Sequence, residues 1–162
     1  MVWELDRRAL LGTAGIGAVA WMAMRPAPGE ASVRFAVAHT PEEWRKLLGP
    51  QRYRVLREAG TERPFSSPLN EEHRRGVFTC GGCGLPLFSS TTKFDSGTGW
   101  PSFFRSLPRS VVTQTDRSLL MERTEVLCRR CGGHLGHVFE DGPKPTGLRY
   151  CMNGLALRFQ PA

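Results

Sequence analysis

The chain has 162 residues and a formal net charge of +7 at pH 7, from 22 lysines and arginines against 15 aspartates and glutamates. Hydrophobic residues make up 40% of it and charged residues 23%, which is typical of a folded globular domain. This composition excludes a membrane channel, a coiled coil and a small disulfide scaffold, and the length favours a single domain. An odd count of five cysteines leaves one thiol over in any scheme that pairs them.

The first 31 residues have the parts of an export signal. Arg7 and Arg8 precede an uncharged, glycine-containing stretch over residues 9–24, which is shorter than the roughly 20 apolar residues that a membrane-spanning helix needs. Adjacent arginines are typical of the twin-arginine class of bacterial signals. The sequence therefore predicts export to a bacterial periplasm, with cleavage after Ala31 or as late as Ala38. The alternative is an uncleaved segment that anchors the protein to a membrane.

The positive charge of the remaining chain is scattered along it. Basic residues are interrupted by acidic ones and form no run longer than Arg74-Arg75 or Arg129-Arg130. Such a surplus can attract nucleic acid or anionic lipid at long range. A solvated surface is nevertheless the favoured interpretation, and no nucleic-acid partner is expected.

The first predicted element is a helix that begins after Thr40, whose hydroxyl would form a capping box with Glu43. Its apolar face would comprise Trp44, Leu47 and Leu48. Gly49-Pro50 would end this helix, and a second short helix is predicted over residues 51–58.

From residue 77 onward, short apolar or alternating runs are separated by glycine, proline, serine and aspartate. This pattern predicts a compact β-sheet domain with wide loops, within a folded unit that covers residues 40–160. The runs predicted to be strands are 77–79, 86–88, 110–113, 124–127 and 156–159.

One short motif occurs twice, as Cys80-x-x-Cys83 and Cys128-x-x-Cys131, each followed by glycine. Each copy places two sulfurs within reach of one ion, and four thiolates are the donor set of a closed structural zinc site. The sequence therefore predicts one structural Zn²⁺ ion with no open coordination position. Iron in a rubredoxin-like centre and two redox-active cysteine pairs are the alternatives.

Cys151 is the cysteine that remains. Arg149, two residues earlier, would lie on the same face of a strand and favour the thiolate, which is the nucleophilic form. His134 and His137 are imidazoles suited to protonating a leaving oxygen. The residues alone leave other interpretations open: Cys151 as a small buried apolar side chain, and the histidines as core residues or further metal ligands.

These residues and their surroundings resemble the methionine sulfoxide reductase B family, enzymes that reduce the R epimer of methionine sulfoxide. The resemblance covers residues 44–159. It is carried by Gly-Thr-Glu-Arg-Pro-Phe at 60–65, Lys-Phe-Asp-Ser-Gly-Thr-Gly-Trp-Pro-Ser-Phe at 93–103, both cysteine motifs, His-Leu-Gly-His-Val-Phe at 134–139 and Arg-Tyr-Cys-Met-Asn at 149–153. It implies a mainly β fold: a β-tent-like pair of antiparallel sheets with short N-terminal helices, and a zinc site far from the active site.

The resemblance also implies the chemistry of the matching residues. The Cys151 thiolate would attack the sulfoxide sulfur and become a sulfenic acid, the first and reversible step of thiol oxidation. His137, assisted by His134, would protonate the departing oxygen. The substrate would be oxidised methionine in proteins or peptides, with the free oxidised amino acid as a further candidate.

Three more matching residues would build the pocket. The resemblance implies that the Trp100 indole forms an apolar wall against the S-methyl group of the substrate. Asn153 would hydrogen-bond within the pocket, and Arg149 would help to hold the thiolate.

Thr98 departs from the pattern of the family. Many members carry at this position a second cysteine, which resolves the sulfenic acid as an internal disulfide. A threonine hydroxyl cannot form a disulfide, so the predicted cycle uses Cys151 alone. An external thiol, from a thioredoxin-like protein or a small molecule, would attack the sulfenic acid, and a second thiol would release the mixed disulfide. The protein is expected to act as a monomer.

Two other functions are compatible with parts of the sequence. A zinc-ribbon module could bind nucleic acid, although it would need aromatic residues interleaved with basic ones on one face. A thiol oxidoreductase could act through Cys80 and Cys83.

Overall fold

The computed structural model describes residues 35–118 and 121–162. The segment predicted to be an export signal, residues 1–31, lies outside these ranges, and its function stays a prediction. Within the described ranges, no helix combines the length and the apolar character that a membrane span requires.

The one α-helix within the described residues, α1 (Pro41–Glu58), begins as predicted. The Thr40 side chain accepts a hydrogen bond from the Glu43 N–H at 3.2 Å, and the Glu43 carboxylate accepts one from the Thr40 N–H at 2.8 Å. The capping box is therefore confirmed. Gly49 has a φ of 67°, which glycine adopts without strain, and it kinks the helix directly before Pro50. The backbone of Gly49 is not helical, so α1 consists of two helical segments that meet at this kink, and the predicted break at Gly49-Pro50 is confirmed.

The prediction that Leu47 lies on the apolar face of α1 is wrong. Its side chain is 59% exposed, whereas Trp44 is buried and Leu48 packs against the core. At about 100° per residue, Leu48 lies close to Trp44 around the helix axis, and Leu47 lies to the other side. The core covers only the narrow stripe that contains Trp44 and Leu48, so Leu47 remains in solvent.

Two antiparallel sheets form the rest of the described chain, which confirms the mainly β prediction. The smaller sheet has the order β2-β1-β9, with β1 (Gly76–Cys80), β2 (Pro86–Ser89) and β9 (Leu157–Pro161). The larger sheet has the order β3-β4-β8-β7-β6-β5, with β3 (Lys93–Phe94), β4 (Ser102–Phe103), β5 (Val111–Asp116), β6 (Arg123–Cys128), β7 (His134–Phe139) and β8 (Arg149–Met152).

Each of the five runs predicted to be strands overlaps an observed strand. The last begins one residue later than predicted, because Ala156 completes a short 3₁₀ turn over Gly154–Ala156. Strand β7 was not predicted, although it lies in the middle of the larger sheet. Strand β8 confirms the expectation that Arg149 and Cys151 lie on one strand.

The core lies between the two sheets and is rich in aromatic rings. Phe78 and Phe88 of the smaller sheet and Phe103 of the larger one are fully buried. The ring centroid of Phe103 lies 4.9 Å from that of Phe78 and 4.4 Å from that of Phe88. Aromatic pairs at such distances add to the free energy gained from burying their area, so these rings hold the two sheets together.

Candidate active site and metal centre

The cysteines of the two Cys-x-x-Cys motifs converge in the structure. Their sulfur atoms all lie within 4.8 Å of one another, with 3.7 Å between Cys80 and Cys131 and 3.6 Å between Cys83 and Cys128. A tetrahedral zinc ion with Zn–S bonds of about 2.3 Å separates its sulfurs by about 3.8 Å. The four sulfurs therefore fit a tetrahedral metal ion. Because the short distances run between the motifs, the geometry favours one shared ion over two separate redox pairs.

The turns that carry these cysteines explain the glycine after each motif. Gly84 and Gly132 have φ values of 71° and 68°, and each donates a backbone hydrogen bond of 2.8 Å to the carbonyl of the first cysteine of its motif. A side chain would strain this left-handed backbone. Hydrogen bonds from the neighbouring thiols, with a smaller contribution from Arg130, lower the pKa of Cys83.

Strand β6 separates the cysteine cluster from the other candidate site. Cys128 is its last residue, and Arg123, which lines the cavity around Cys151, is its first. Five steps of about 3.3 Å along a strand separate the two by roughly 17 Å. The cysteine cluster and Cys151 therefore lie near opposite ends of this strand.

Cys151 lies on β8, where residues of the candidate site flank it on both sides. Its partner across β7 is His137, and its partner across β4 is Ser102. Directly opposed residues of antiparallel strands have Cβ atoms about 5 Å apart. Cys151 and His137 line a cavity of about 130 Å³ together with Trp100 and Asn153. The structure thus brings four of the six predicted catalytic residues to one small cavity.

Gly136 allows this close approach of β7 and β8. It pairs with Met152, the residue after Cys151, and has a φ of 154°. A Cβ atom at this position would collide with the carbonyl oxygen of Cys151. The glycine between the two histidines of the sequence motif is therefore required by packing.

A carboxylate holds the imidazole of His137. Its Nε2 lies 2.8 Å from Oδ2 of Asp116, and the same oxygen accepts a 2.6 Å hydrogen bond from Arg123. Burial lowers the pKa of His137, the hydrogen bond to Asp116 opposes this shift, and the charge of Arg123 lowers the pKa further. His137 is therefore a neutral imidazole near pH 7, with a carboxylate placed to stabilise its protonated form.

His134 lies behind His137, outside the lining of the cavity. Its side chain is buried, and its ring centroid is 5.5 Å from that of His137. Its Nδ1 lies 2.5 Å from Oε1 of Glu125, whose other oxygen accepts a 2.7 Å hydrogen bond from Gln114. Within the described chain its Nε2 has no hydrogen-bond partner. Each of the two histidines is thus paired with its own carboxylate.

Arg149 lies on the same strand as Cys151 and is anchored by an acidic residue. Its guanidinium donates hydrogen bonds of 2.8 and 2.7 Å to the two carboxylate oxygens of Asp141 and lies 4.4 Å from the ring centroid of Phe139. The hydrogen bonds to Asp141 raise the pKa of Arg149, burial opposes the shift, and the nearby Cys151 sulfur adds a smaller increase. Arg149 is therefore a fixed cation close to Cys151.

Glu62 connects Trp100 and Asn153. The indole N–H of Trp100 donates to the Glu62 carbonyl at 3.2 Å, and the Glu62 N–H donates to the Asn153 side-chain oxygen at 3.0 Å. Its buried carboxylate accepts hydrogen bonds from the backbone N–H groups of Gly154 and Leu155. Burial raises the pKa of Glu62. One acidic residue thus fixes two walls of the cavity and the turn that follows Cys151.

Thr98 is in contact with the sulfur of Cys151. Its hydroxyl oxygen lies 3.7 Å from that sulfur and 2.8 Å from the hydroxyl of Ser96, which in turn lies 2.7 Å from the hydroxyl of Ser102. The neighbour of the Cys151 sulfur on this side is therefore a hydroxyl and not a thiol.

Several residues of the site were not predicted from the sequence. Glu62 belongs to the Gly-Thr-Glu-Arg-Pro-Phe motif at 60–65, but the sequence predicts no role for it. It also predicts no role in the site for Asp116, Arg123 or Glu125. No short spacing links the last three to the histidines. These three residues reach the histidines only through the pairing of β5, β6 and β7. The register between β6 and β7 includes an irregularity between Val126 and Leu127.

Comparisons with known proteins agree with this arrangement. A family model described as the SelR domain matches residues 48–161. The peptide methionine sulfoxide reductase MsrB of Methanosarcina barkeri is 56% identical over 126 residues, which cover 77% of this chain and 89% of that protein. The protein of the same name from Leptospira interrogans is 52% identical over 129 residues, which cover 79% and 98% of the two chains.

Proposed function

The chain belongs to the MsrB family of peptide methionine sulfoxide reductases, and we propose that Cys151 is the residue that carries out the reduction of the R epimer. The observation that supports this assignment is the pairing of Cys151 with His137 across β7 and β8 in a small cavity, away from the cysteine cluster. The enzyme is an oxidoreductase whose substrate is oxidised methionine and whose electrons come from a thiol.

His137 would move the proton during the first step. As a neutral imidazole it can accept the thiol proton of Cys151, and the carboxylate of Asp116 would stabilise the imidazolium that forms. The thiolate attacks the sulfoxide sulfur, and His137 returns the proton to the sulfoxide oxygen. This oxygen passes to the Cys151 sulfur, while its bond to the methionine sulfur and the transient bond between the two sulfurs break. Methionine is released reduced, and the oxygen remains on Cys151 as a sulfenic acid.

Trp100 and Asn153 would orient the substrate. The indole N–H of Trp100 is already bonded to the backbone, so its apolar face is what it offers to the S-methyl group. The Asn153 amide donates to the Leu135 carbonyl at 3.2 Å and accepts from the Glu62 N–H, which fixes Asn153 in the wall of the cavity. The cation of Arg149 near Cys151 would stabilise the thiolate.

Thiols from solution would complete the cycle. Thr98 has no sulfur to offer, so a first external thiol attacks the sulfenic acid, forms a mixed disulfide with Cys151 and releases water. A second thiol attacks that disulfide, frees Cys151 and leaves as the oxidised thiol pair. The balance is one sulfoxide and two thiols consumed for one methionine, one disulfide and one water.

The four-cysteine cluster would hold one structural zinc ion. Four thiolates in a tetrahedron complete its coordination, so the ion would supply folding stability and take no part in the reaction. The residues that would hold it are Cys80, Cys83, Cys128 and Cys131.

We also propose that the protein acts as a monomer after export to the periplasm. The support for export is the arginine pair and the uncharged stretch in residues 1–31 of the sequence. An uncleaved anchor in the same segment is the alternative, and fractionation of cells that produce the full chain distinguishes the two.

The deciding experiment is turnover of peptides that contain the R or the S epimer of methionine sulfoxide, with dithiothreitol as the thiol. We expect reduction of the R epimer only, and a loss of about 1,000-fold or more in Cys151→Ser. Cys151→Ser should keep its metal content and thermal unfolding temperature, which shows that the fold survives. Full turnover by Cys151→Ser would overturn the assignment, and an internal disulfide at Cys151 in the oxidised protein would overturn the one-cysteine cycle.

A further inference from the structure

A large cleft lies next to the catalytic cavity. It has a volume of about 980 Å³ and runs between the second half of α1, residues 61–69 and strand β9. Thr61 lines both this cleft and the cavity around Cys151. The cleft and the catalytic cavity therefore share a wall.

The charged side chains that line the cleft are mostly arginines: Arg52, Arg54, Arg63, Arg74 and Arg158. The two carboxylates that line the cleft already have partners within the protein. Glu62 accepts backbone hydrogen bonds from the turn after Cys151, and Glu72 forms a 2.6 Å ion pair with Arg74. The cleft thus has a net positive charge that its own acidic residues do not neutralise.

Four of these arginines have no acidic partner among the described residues. Arg54, Arg63 and Arg158 are exposed, and none of them forms an ion pair with a carboxylate in residues 35–118 or 121–162. Arg52 is partly buried and donates to the carbonyls of Leu155 and Leu157 at 2.9 and 3.3 Å. Burial and the charge of Arg158 lower the pKa of Arg52. The two guanidinium groups therefore repel each other in the absence of an anion.

The walls of the cleft also offer apolar surface. Val55, Leu69 and Phe159 line it among the arginines. Guanidinium groups bind carboxylates through paired hydrogen bonds, and the apolar walls can pack against the stems of the same side chains. An extended peptide advances about 3.3 Å per residue, so one strand of substrate can reach from the Cys151 cavity into the adjoining cleft.

We propose that this cleft binds acidic side chains of oxidised protein substrates, so that the enzyme prefers methionine sulfoxide with aspartate or glutamate a few residues away. This inference rests on the proposed function of Cys151. Binding in the cleft would lower KM for acidic segments and would leave the chemistry at the sulfur unchanged. Repair would then be directed toward oxidised methionines in acidic surface segments.

The test compares two peptides that each contain one R-methionine sulfoxide, one with aspartates on both sides of it and one with asparagines in their place. We expect the acidic peptide to have a kcat/KM about tenfold higher, mainly through KM, with the ratio falling toward one as salt screens the charges. In Arg63→Gln/Arg158→Gln, that ratio should fall to about one.

The matched control is Arg105→Gln/Arg129→Gln, which removes the same charge from exposed arginines outside the cleft. This control should keep the preference for the acidic peptide. Equal kcat/KM for the two peptides in the unmodified enzyme, or equal loss in both double variants, would overturn the inference. Either result leaves the proposed function intact, because both peptides are still reduced through Cys151.

Binding provides a second measurement that does not need turnover. Fluorescence anisotropy of the labelled acidic peptide with Cys151→Ser should show salt-sensitive binding, which the additional change of Arg63 and Arg158 to glutamine weakens. A peptide affinity that changes neither with salt nor with these substitutions would also overturn the inference.

Discussion

The difference between Cys151 and the other four cysteines arises from what each sulfur faces. Cys80 and its partners face one another within 4.8 Å, a donor set that suits a metal ion. Cys151 faces an imidazole across two paired strands and a hydroxyl at 3.7 Å. The same side chain is therefore suited to metal binding in one place and to nucleophilic attack in the other.

The environment of His137 predicts how activity depends on pH. In the proposed mechanism, neutral His137 accepts the thiol proton, so kcat/KM should rise with pH along a limb centred below 6.5, the ordinary pKa of histidine. Asp116 raises the pKa of His137, and Arg123 lowers it. We expect Asp116→Asn to move this limb to lower pH and to reduce kcat by about 10- to 100-fold. Arg123→Gln should move the limb to higher pH.

The pH profiles of kcat/KM for the three proteins, together with NMR titration of His137, provide the measurement. If Asp116 and Arg123 had a purely structural role, the substitutions would change kcat/KM without moving the limb of its pH profile. Limbs that coincide in all three proteins would contradict the role of His137 as the proton carrier.

At the scale of elements, the sequence predicts the parts with local patterns and misses those that depend on pairing. The capping box of α1 and the cysteine turns are confirmed because neighbouring residues form them. Strand β7 was missed because Gly136 and the polar histidines interrupt its alternation. The carboxylates of Asp116 and Glu125 could not be assigned, because only strand register brings them to the histidines.

The cysteine cluster connects the turn after β1 to the turn after β6, so a metal ion bound there should stabilise the fold. We expect Cys128→Ser to lose the metal and to unfold well below the temperature of the unmodified protein, because a structural thiolate site contributes on the order of 10 kcal/mol. Elemental analysis and thermal unfolding monitored by circular dichroism measure both effects, and the former distinguishes zinc from iron. A metal-free Cys128→Ser protein that unfolds at the original temperature would contradict a structural role.

At the scale of the whole molecule, the short segment 35–40, which precedes α1 in the described part of the chain, is part of the fold. The Val37 N–H donates a 2.9 Å hydrogen bond to the Arg130 carbonyl, and the Phe35 ring lies close enough to Gly132 that a Cβ there would clash with it. These contacts hold the segment against the second cysteine turn. A mature protein cut after Ala38 would lose them, whereas one cut after Ala31 would keep them.

Two truncated forms test the contribution of this segment. We expect a chain that begins at residue 39 to have a free energy of unfolding about 1–3 kcal/mol lower than one that begins at residue 32, because it loses the buried surface of Phe35 and Val37. Urea unfolding measures the difference. Phe35→Ala in the longer form should reproduce part of the loss, and equal stability of the two truncated forms would show that the segment contributes nothing.

In the proposed reaction, the Thr98 hydroxyl beside Cys151 also affects how fast peroxide would inactivate the enzyme. A disulfide would shelter the oxidised sulfur from further attack, but Thr98 cannot form one. During every cycle of the proposed reaction, the sulfenic acid waits for a thiol, and hydrogen peroxide that arrives first converts it irreversibly to the sulfinic acid. The number of turnovers that one molecule completes is then fixed by the competition between reductant and peroxide, so repair capacity would collapse once the local thiol supply is exhausted.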